Sequence, residues 1–293
     1  MTRLTAVSVR RRAARDGLLL AGTIFTAYWF WASLQVPFHW DSAIYWSAPL
    51  GDPYAGARIG GFDAYLYSPA FLQLMAPFRL LPWEAFHLLW SLMLLGCLVW
   101  LVGRWTPVVI VLPPVAGELM GGNINLLIAV AVVLGVRGGG AWALVLLTKV
   151  VPGIGLLWFA LRRQWREVAI GLGLAAAVAG VSFAITPGLW VDWIRVLVES
   201  AVHPDTGHIP WTALLPIPLW LRLPLALALV AVAARRNQPW LLPIGIYLAL
   251  PALWVSGLVI LLAIPRLRRS GPERQAALAA PAERAATAEA PSS

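Results

Sequence analysis

The segment WTPVVIVLPPVAGELMGGNINLLIAVAVVLGV, residues 105–136, decides how the chain is read. It is apolar over more than the roughly 20 residues a helix needs to cross a bilayer. Yet GELMGGN (117–123) breaks it near the middle, with Glu118, a glycine pair and Asn123, and Asn125 follows just beyond. Two further apolar stretches share the pattern: 140–161, broken at TKVVP (148–152), and 239–264, broken at LPALW (250–254). Eight to twelve residues of helix reach only about 12–18 Å. Such a break therefore falls near mid-membrane, where irregular backbone is tolerated only beside protein or a water-filled cavity. Arginine stands at or near both ends of each stretch, so each reads as a broken hairpin entering and leaving on the cytoplasmic side. The alternative is that one or two are ordinary spans with an arginine outside.

Composition agrees with a membrane. Of 293 residues, 60% are hydrophobic and 12% charged, and the mean hydropathy is +0.77. A soluble domain needs more polar surface than that. The net charge of +9 is no nucleic-acid footprint, because arginines gather at the ends of apolar runs: Arg10 to Arg12, Arg162 and Arg163, Arg235 and Arg236, Arg266 to Arg269. That is the positive-inside pattern. The basic residues are 21 arginines and one lysine, a bias that, with abundant Ala, suggests a GC-rich bacterial genome. The single cysteine, Cys97, excludes an internal disulfide framework.

Working outward from these breaks, 1–16 reads as a basic cytoplasmic N-terminus and 17–264 as an all-α, polytopic membrane domain of about 8–10 membrane segments, some short and broken. Residues 17–36 form a retained first span, and 37–83 an outer region containing the interfacial stretch YSPAFLQLMAPFRLLP (67–82). Residues 84–103 return inward and 165–186 run outward. Residues 187–212 form a second outer loop with a short amphipathic helix, and 213–234 come back to Arg235. Residues 265–293 read as a disordered cytoplasmic tail. No fixed-period repeat is evident.

Polar residues in such a chain are candidates by default. Asp41, just past the first span in HWDSAIYW, is open to two readings: an N-cap worth roughly 1 kcal/mol, or a general base at the membrane plane among apolar rings. Asp52 in GDPY suits a turn, and Asp63 a loop. Lys149, the only lysine, lies inside an apolar segment. It either snorkels or meets an anion such as a lipid phosphate as a point charge. Glu118 needs a partner, Lys149 or Arg222; with Asn123 and Asn125 it either lines a cavity or glues helices together. Arg222 either binds phosphate or snorkels. His203 and His208 lack metal-ligand spacing, and no metal or cofactor is expected. Trp40, Tyr45, Trp46 and Tyr54 suit stacking on sugar faces or sealing the lipid boundary.

Read together, these residues resemble glycosyltransferase family 87, GT-C-type membrane enzymes that use polyprenyl-phosphate sugars. The likeness rests on Asp41 after the first span, the D-P-Y turn at Asp52 to Tyr54, and the Y-x-P run of 67–82 followed by Trp90. It continues with GGNINLL (Gly122, Asn123, Asn125), where Asn123 stands for a usual Gln, and LLTKVVP with Lys149 and Pro152. It covers 17–160 and weakens thereafter. The late S-P-x-S-W-x-H motif appears as LPALWVS, keeping Pro251 and Trp254 but placing Ser256 where histidine is expected. The resemblance implies transfer of a hexose, most simply mannose, from a polyprenyl-phosphate donor to a hydroxyl of a lipid or glycan acceptor on the outer face of the plasma membrane, with inversion. It implies Asp41 as catalytic base and Lys149 with Arg222 at the donor phosphate. Tyr45, Trp46, Tyr54, Asn123, Asn125, Glu118 and Trp254 would then contact substrate. The rival class is a non-catalytic membrane protein, a transporter or a degenerate GT-C scaffold.

Overall fold

The computed structural model describes residues 2–35, 41–58, 64–202, 214–215 and 217–268. Helices dominate. The first, α1 (Thr2–Gln35), is 34 residues long, so the basic stretch 1–16 continues into the span instead of preceding it. Next come α2 (Asp41–Ser47) and α3 (Pro69–Met75), which starts with Pro at its first position after a Ser68 cap and runs into a 3-10 turn, Ala76–Leu80. Asp52 lies in the turn after α2, where Ala57 N–H bonds Tyr54 O at 3.1 Å.

The helix α4 (Trp83–Val102) begins directly after Pro82. Its buried residues Trp83, Phe86, His87, Trp90, Leu94, Leu98 and Leu101 recur every three or four positions, the stripe of a helix with one face on the core. It continues through a turn at Gly103 into α5 (Thr106–Val109), and Trp83–Val109 as a whole is long and apolar enough to span.

All three apolar stretches with internal breakers are broken where the sequence places the breaker. In the first, α6 (Pro113–Gly121) and α7 (Asn125–Gly135) meet at 106°. Gly122 makes the corner in the left-handed conformation, φ +65, and its N–H returns to Glu118 O. In the second, α8 (Trp142–Thr148) stops at Lys149, whose backbone is extended; a 3-10 turn (Val151–Leu156) and α9 (Leu157–Ala160) follow.

The second helix long and apolar enough to span is α10 (Trp165–Ile185). It approaches the chain at Gly139 so closely that a Cβ there would collide with the Glu167 carbonyl, and Glu167 Oε2 accepts from Gly139 N–H at 2.9 Å. Next, α11 (Pro187–Val202) buries Leu189, Trp193 and Val196 while exposing Val191, Ile194 and Val198, apolar on two sides as a helix at a lipid boundary must be. After α12 (Leu219–Arg236), the third broken stretch gives α13 (Leu242–Leu248) and a 3-10 run (Val255–Ala263). Between them β2 (Leu253–Trp254) pairs antiparallel with β1 (Leu214–Leu215); in the stretch 213–234, expected to span, the helix thus starts only at Leu219.

The all-α expectation holds apart from this one short ladder. Among the described residues two helices are long and apolar enough to cross a membrane, or three if α6 and α7 together count as one span. The expected 8–10 segments exceed that: α1 and α12, read as spans over 17–36 and 213–234, are not among them, and breaking an apolar run yields helices of 4–11 residues, about 6–17 Å long. The 3-10 run packs on α6, α7 and α13, so the first and third broken stretches lie against one another.

Candidate active site

The corner between α6 and α7 gathers the polar residues. Lys149 Nζ donates to Asn125 Oδ1 at 2.7 Å and to Asn123 Oδ1 at 3.2 Å. Asn125 Nδ2 donates to Glu118 Oε2 at 3.0 Å, and Glu118 Oε1 accepts from Leu126 N–H at 3.1 Å. Glu118 and Asn125 are buried; the carboxylate caps the start of α7, satisfying a backbone donor that the corner frees. Lys149, not Arg222, is therefore the partner Glu118 requires, through one intervening amide.

Asp41 opens α2 and joins the same network. Tyr67 Oη donates to Asp41 Oδ1 at 3.4 Å, and the Lys149 ammonium and the Asn123 side chain both favour its charged form. Desolvation raises the Asp41 carboxyl above its ordinary value; the Lys149 ammonium, the Asn123 side chain and the Tyr67 hydroxyl pull the other way. The result is a chain Asp41–Asn123–Lys149–Asn125–Glu118, drawn from α2 and two helix breaks. Asp41 and Lys149 both keep accessible surface, whereas the groups behind them do not.

The surroundings hold α2 in place. Ser42 Oγ lies 3.2 Å from His87 Nδ1, and both residues are fully buried. His87 stacks on Trp83. Trp90 Nε1 donates to Gly122 O at 2.7 Å, and a Cβ added to Gly122 would lie 2.5 Å from Ser42 Cβ. The first turn of α2 is thus wedged between α4 and the corner. On the α3 side, Ser68 Oγ donates to Leu147 O at 2.5 Å, tying the Y-S-P segment to the chain two residues before Lys149.

The remaining candidates divide. Tyr45 is fully buried, donates to Tyr67 Oη at 2.7 Å and packs edge-on against Phe71 and Trp90, so it shapes the wall beneath Tyr67. Tyr54 donates to Tyr67 O at 2.8 Å and is buried. Trp46 is half-buried, donates to Leu81 O at 3.0 Å and packs on Trp83. Trp254 lies in β2 opposite Leu214. Arg222 is not brought to the cluster. Its guanidinium donates to the carbonyls of Ile217, Leu248, Leu250 and Pro251 at 2.7, 2.5, 2.7 and 2.9 Å. Those bonds correct its expected place beside Lys149: three carbonyls freed at the third break and one just before α12 hold it. Trp40, Asp63, His203 and His208 lie outside the described residues. Among the described residues no group of three His, Cys, Asp or Glu side chains could hold a metal.

Sequence reasoning missed Ser42, His87, Tyr67 and Ser68. A signal existed for two of them: Tyr67 opens the Y-x-P run, and His87 falls on the three-four stripe of α4, which would have placed it inward.

The profile of glycosyltransferase family 87 matches residues 65–284. The chain belongs to that family. Membership makes glycosyl transfer its activity class, with a donor and an acceptor as substrates, and agrees with the apolar helices in making it a membrane protein. No curated protein and no solved structure matches it. The matched stretch runs well past residue 160, so the family likeness does not fade where the sequence reading expected. It contains Tyr67, Glu118, Asn123, Asn125, Lys149 and Arg222, while Asp41 precedes it.

Proposed function

We propose that this family 87 glycosyltransferase moves a hexose, mannose in the simplest case, from a polyprenyl-phosphate donor to a hydroxyl of a lipid or glycan acceptor, with inversion, at the outer face of the plasma membrane. One observation carries the reading: the Asp41 carboxylate and the Lys149 ammonium attract one another beside Asn123, whose Oδ1 accepts from Lys149 Nζ, and both residues are only half-buried. Transfer needs a base for the acceptor hydroxyl and a cation for the departing phosphate. A phosphate leaves without protonation, so the paired acid of the usual two-carboxylate glycosidase layout is unnecessary.

In this reading the acceptor oxygen gives its proton to Asp41 as it attacks the anomeric carbon. The bond from that carbon to the phosphate oxygen breaks, and its electron pair stays on the phosphate, where Lys149 meets the growing charge. Desolvation, which raises the Asp41 carboxyl, strengthens it as a base. The test is transfer of labelled sugar from polyprenyl-phosphate-mannose in isolated membranes. Asp41→Asn is expected to abolish transfer at unchanged protein abundance, and full activity would remove Asp41 as the base. If the wild type transfers nothing from any polyprenyl-phosphate sugar, a scaffold or transporter role replaces this one.

A further inference from the structure

A cavity lies away from the polar network and contains no part of it. It is a crevice of about 740 Å³ between α1 and α4, floored by α5 and α6. The arrangement follows from how α1 is seated. It packs on α5 and α6, with Gly22 close enough that a Cβ would touch Ile110 Cγ2 at 3.0 Å, and a gap is left toward α4. The walls are apolar, including Leu19, Leu88 and Val99, and two guanidinium groups, Arg15 and Arg104, stand at one end.

We infer that this crevice binds one anionic phospholipid, its phosphate between Arg15 and Arg104 and an acyl chain along α1 and α4. Three observations select that occupant. The first is charge. Arg15 pairs with Asp16 Oδ1 at the surface, a contact of small worth in water that uses part of a five-donor fork. Arg104 is exposed and stands over the Trp105 ring. Two forks at the mouth of an apolar slot suit a phosphate.

The second is length. The crevice follows α1 from Arg15 to Ala27, about 18 Å at the helical rise, against about 15 Å for one leaflet of a hydrocarbon core. The third is depth. His87, which contacts Ser42 beside Asp41, and Arg104 are separated along the α4–α5 rod by about 25 Å, nearly the thickness of the core. A phosphate on the two arginines thus belongs to the leaflet opposite the Asp41–Lys149 cluster, which excludes a lipid whose phosphate must reach Lys149. The exposed Leu18, Leu20 and Ile24 of α1 put the slot on the lipid-facing side.

The test uses the full purified chain in detergent, with bound lipid counted by native mass spectrometry and thermal unfolding followed in parallel. Phosphatidylglycerol is titrated against phosphatidylcholine. One phosphatidylglycerol should be retained with about thirtyfold preference, from two basic side chains at a membrane surface. Arg15→Gln and Arg104→Gln, both at exposed positions that leave the fold intact, should each remove about fivefold. Arg235→Gln with Arg236→Gln, exposed and outside the crevice, should change nothing. Equal binding of the two lipids would overturn the inference. So would a preference surviving in the Arg15→Gln, Arg104→Gln double variant, or one lost in the Arg235, Arg236 control. Displacement by polyprenyl phosphate would assign the slot to that lipid instead, and an equal rise in unfolding temperature with inorganic phosphate alone would reduce it to a simple anion site.

Discussion

Replacing Lys149 by Met, with Glu118 either kept or changed to Gln, separates what the ammonium does for the fold from what it does in transfer. Lys149 interacts with the charges of both Asp41 and Glu118 through the two asparagines. Removing one partner from a buried charge network costs 3–5 kcal/mol. Because Lys149 keeps accessible surface, the low end applies, about 3 kcal/mol, which lowers the unfolding midpoint by about 6–12 °C in a chain of this size. In a Glu118→Gln background one uncompensated carboxylate is already gone. The Lys149→Met loss should then shrink to about 1 kcal/mol, leaving a coupling of about 2 kcal/mol in the double-mutant cycle. Transfer should not recover with stability. Both Lys149→Met variants should lose about 10²–10³ in kcat, as enzymes do when a group facing transition-state charge is removed. The assay pairs thermal unfolding in detergent with labelled-sugar transfer in vesicles. Additive stability losses would refute the shared network, and restored transfer in the double variant would refute Lys149 as the group facing the phosphate.

Two other outcomes follow from the same geometry. Gly122→Ala must take up a left-handed conformation, costing about 1–2 kcal/mol, and must push a methyl against Ser42 Cβ at 2.5 Å. Transfer should fall at least about tenfold as α2 moves, since a 1 Å misplacement can cost about a hundredfold; wild-type kcat in that variant would show that the wedge does not position Asp41. On pH, a base with a raised carboxyl value is protonated and idle at low pH and becomes active as pH rises. The acid limb of the rate profile should therefore lie above the ordinary carboxylate value of about 3.9. Tyr67→Phe, which deletes a bond to the charged form, should move the limb higher still, and a limb that shifts downward in that variant counts against Asp41.

The three breaks were legible because Gly, Pro and polar residues interrupt runs that are otherwise apolar, and each such residue has a local conformational reason to end a helix. So was the need of Glu118 for a cationic neighbour, because an isolated charge in an apolar segment demands its opposite, although the sequence left Lys149 and Arg222 both open. The 106° bend at the first corner was not. A breaker says where a helix stops, and the packing of the next helix decides where it goes. Ser42 and His87 lie 45 residues apart, and their contact depends on which faces of α2 and α4 meet, which no local pattern encodes. Nor could the position of Arg222 be read: its partners are backbone carbonyls, which every residue possesses.

The engagement of Arg222 bears on how the site is divided. A buried guanidinium needs acceptors for its donors, and the end of α13 supplies carbonyls that have lost their helical partners. Three of them, from Leu248, Leu250 and Pro251, close on Arg222 together with Ile217 O, so its charge holds the late segment against the start of α12. That leaves Lys149 as the cation of the described polar cluster. An ammonium on a flexible stem is a point charge with rotatable donors and recognises charge more than shape. If Lys149 meets the donor phosphate, discrimination among sugars falls to groups with fixed directions beside Asp41. The Asn123 side chain is held by Lys149 and by Ile124 N–H, and the Tyr67 hydroxyl by Tyr45. Both are positioned before any substrate arrives, and both come from segments anchored by helix breaks: Asn123 from the first corner, and Tyr67 from the stretch that Ser68 ties to the chain just before Lys149.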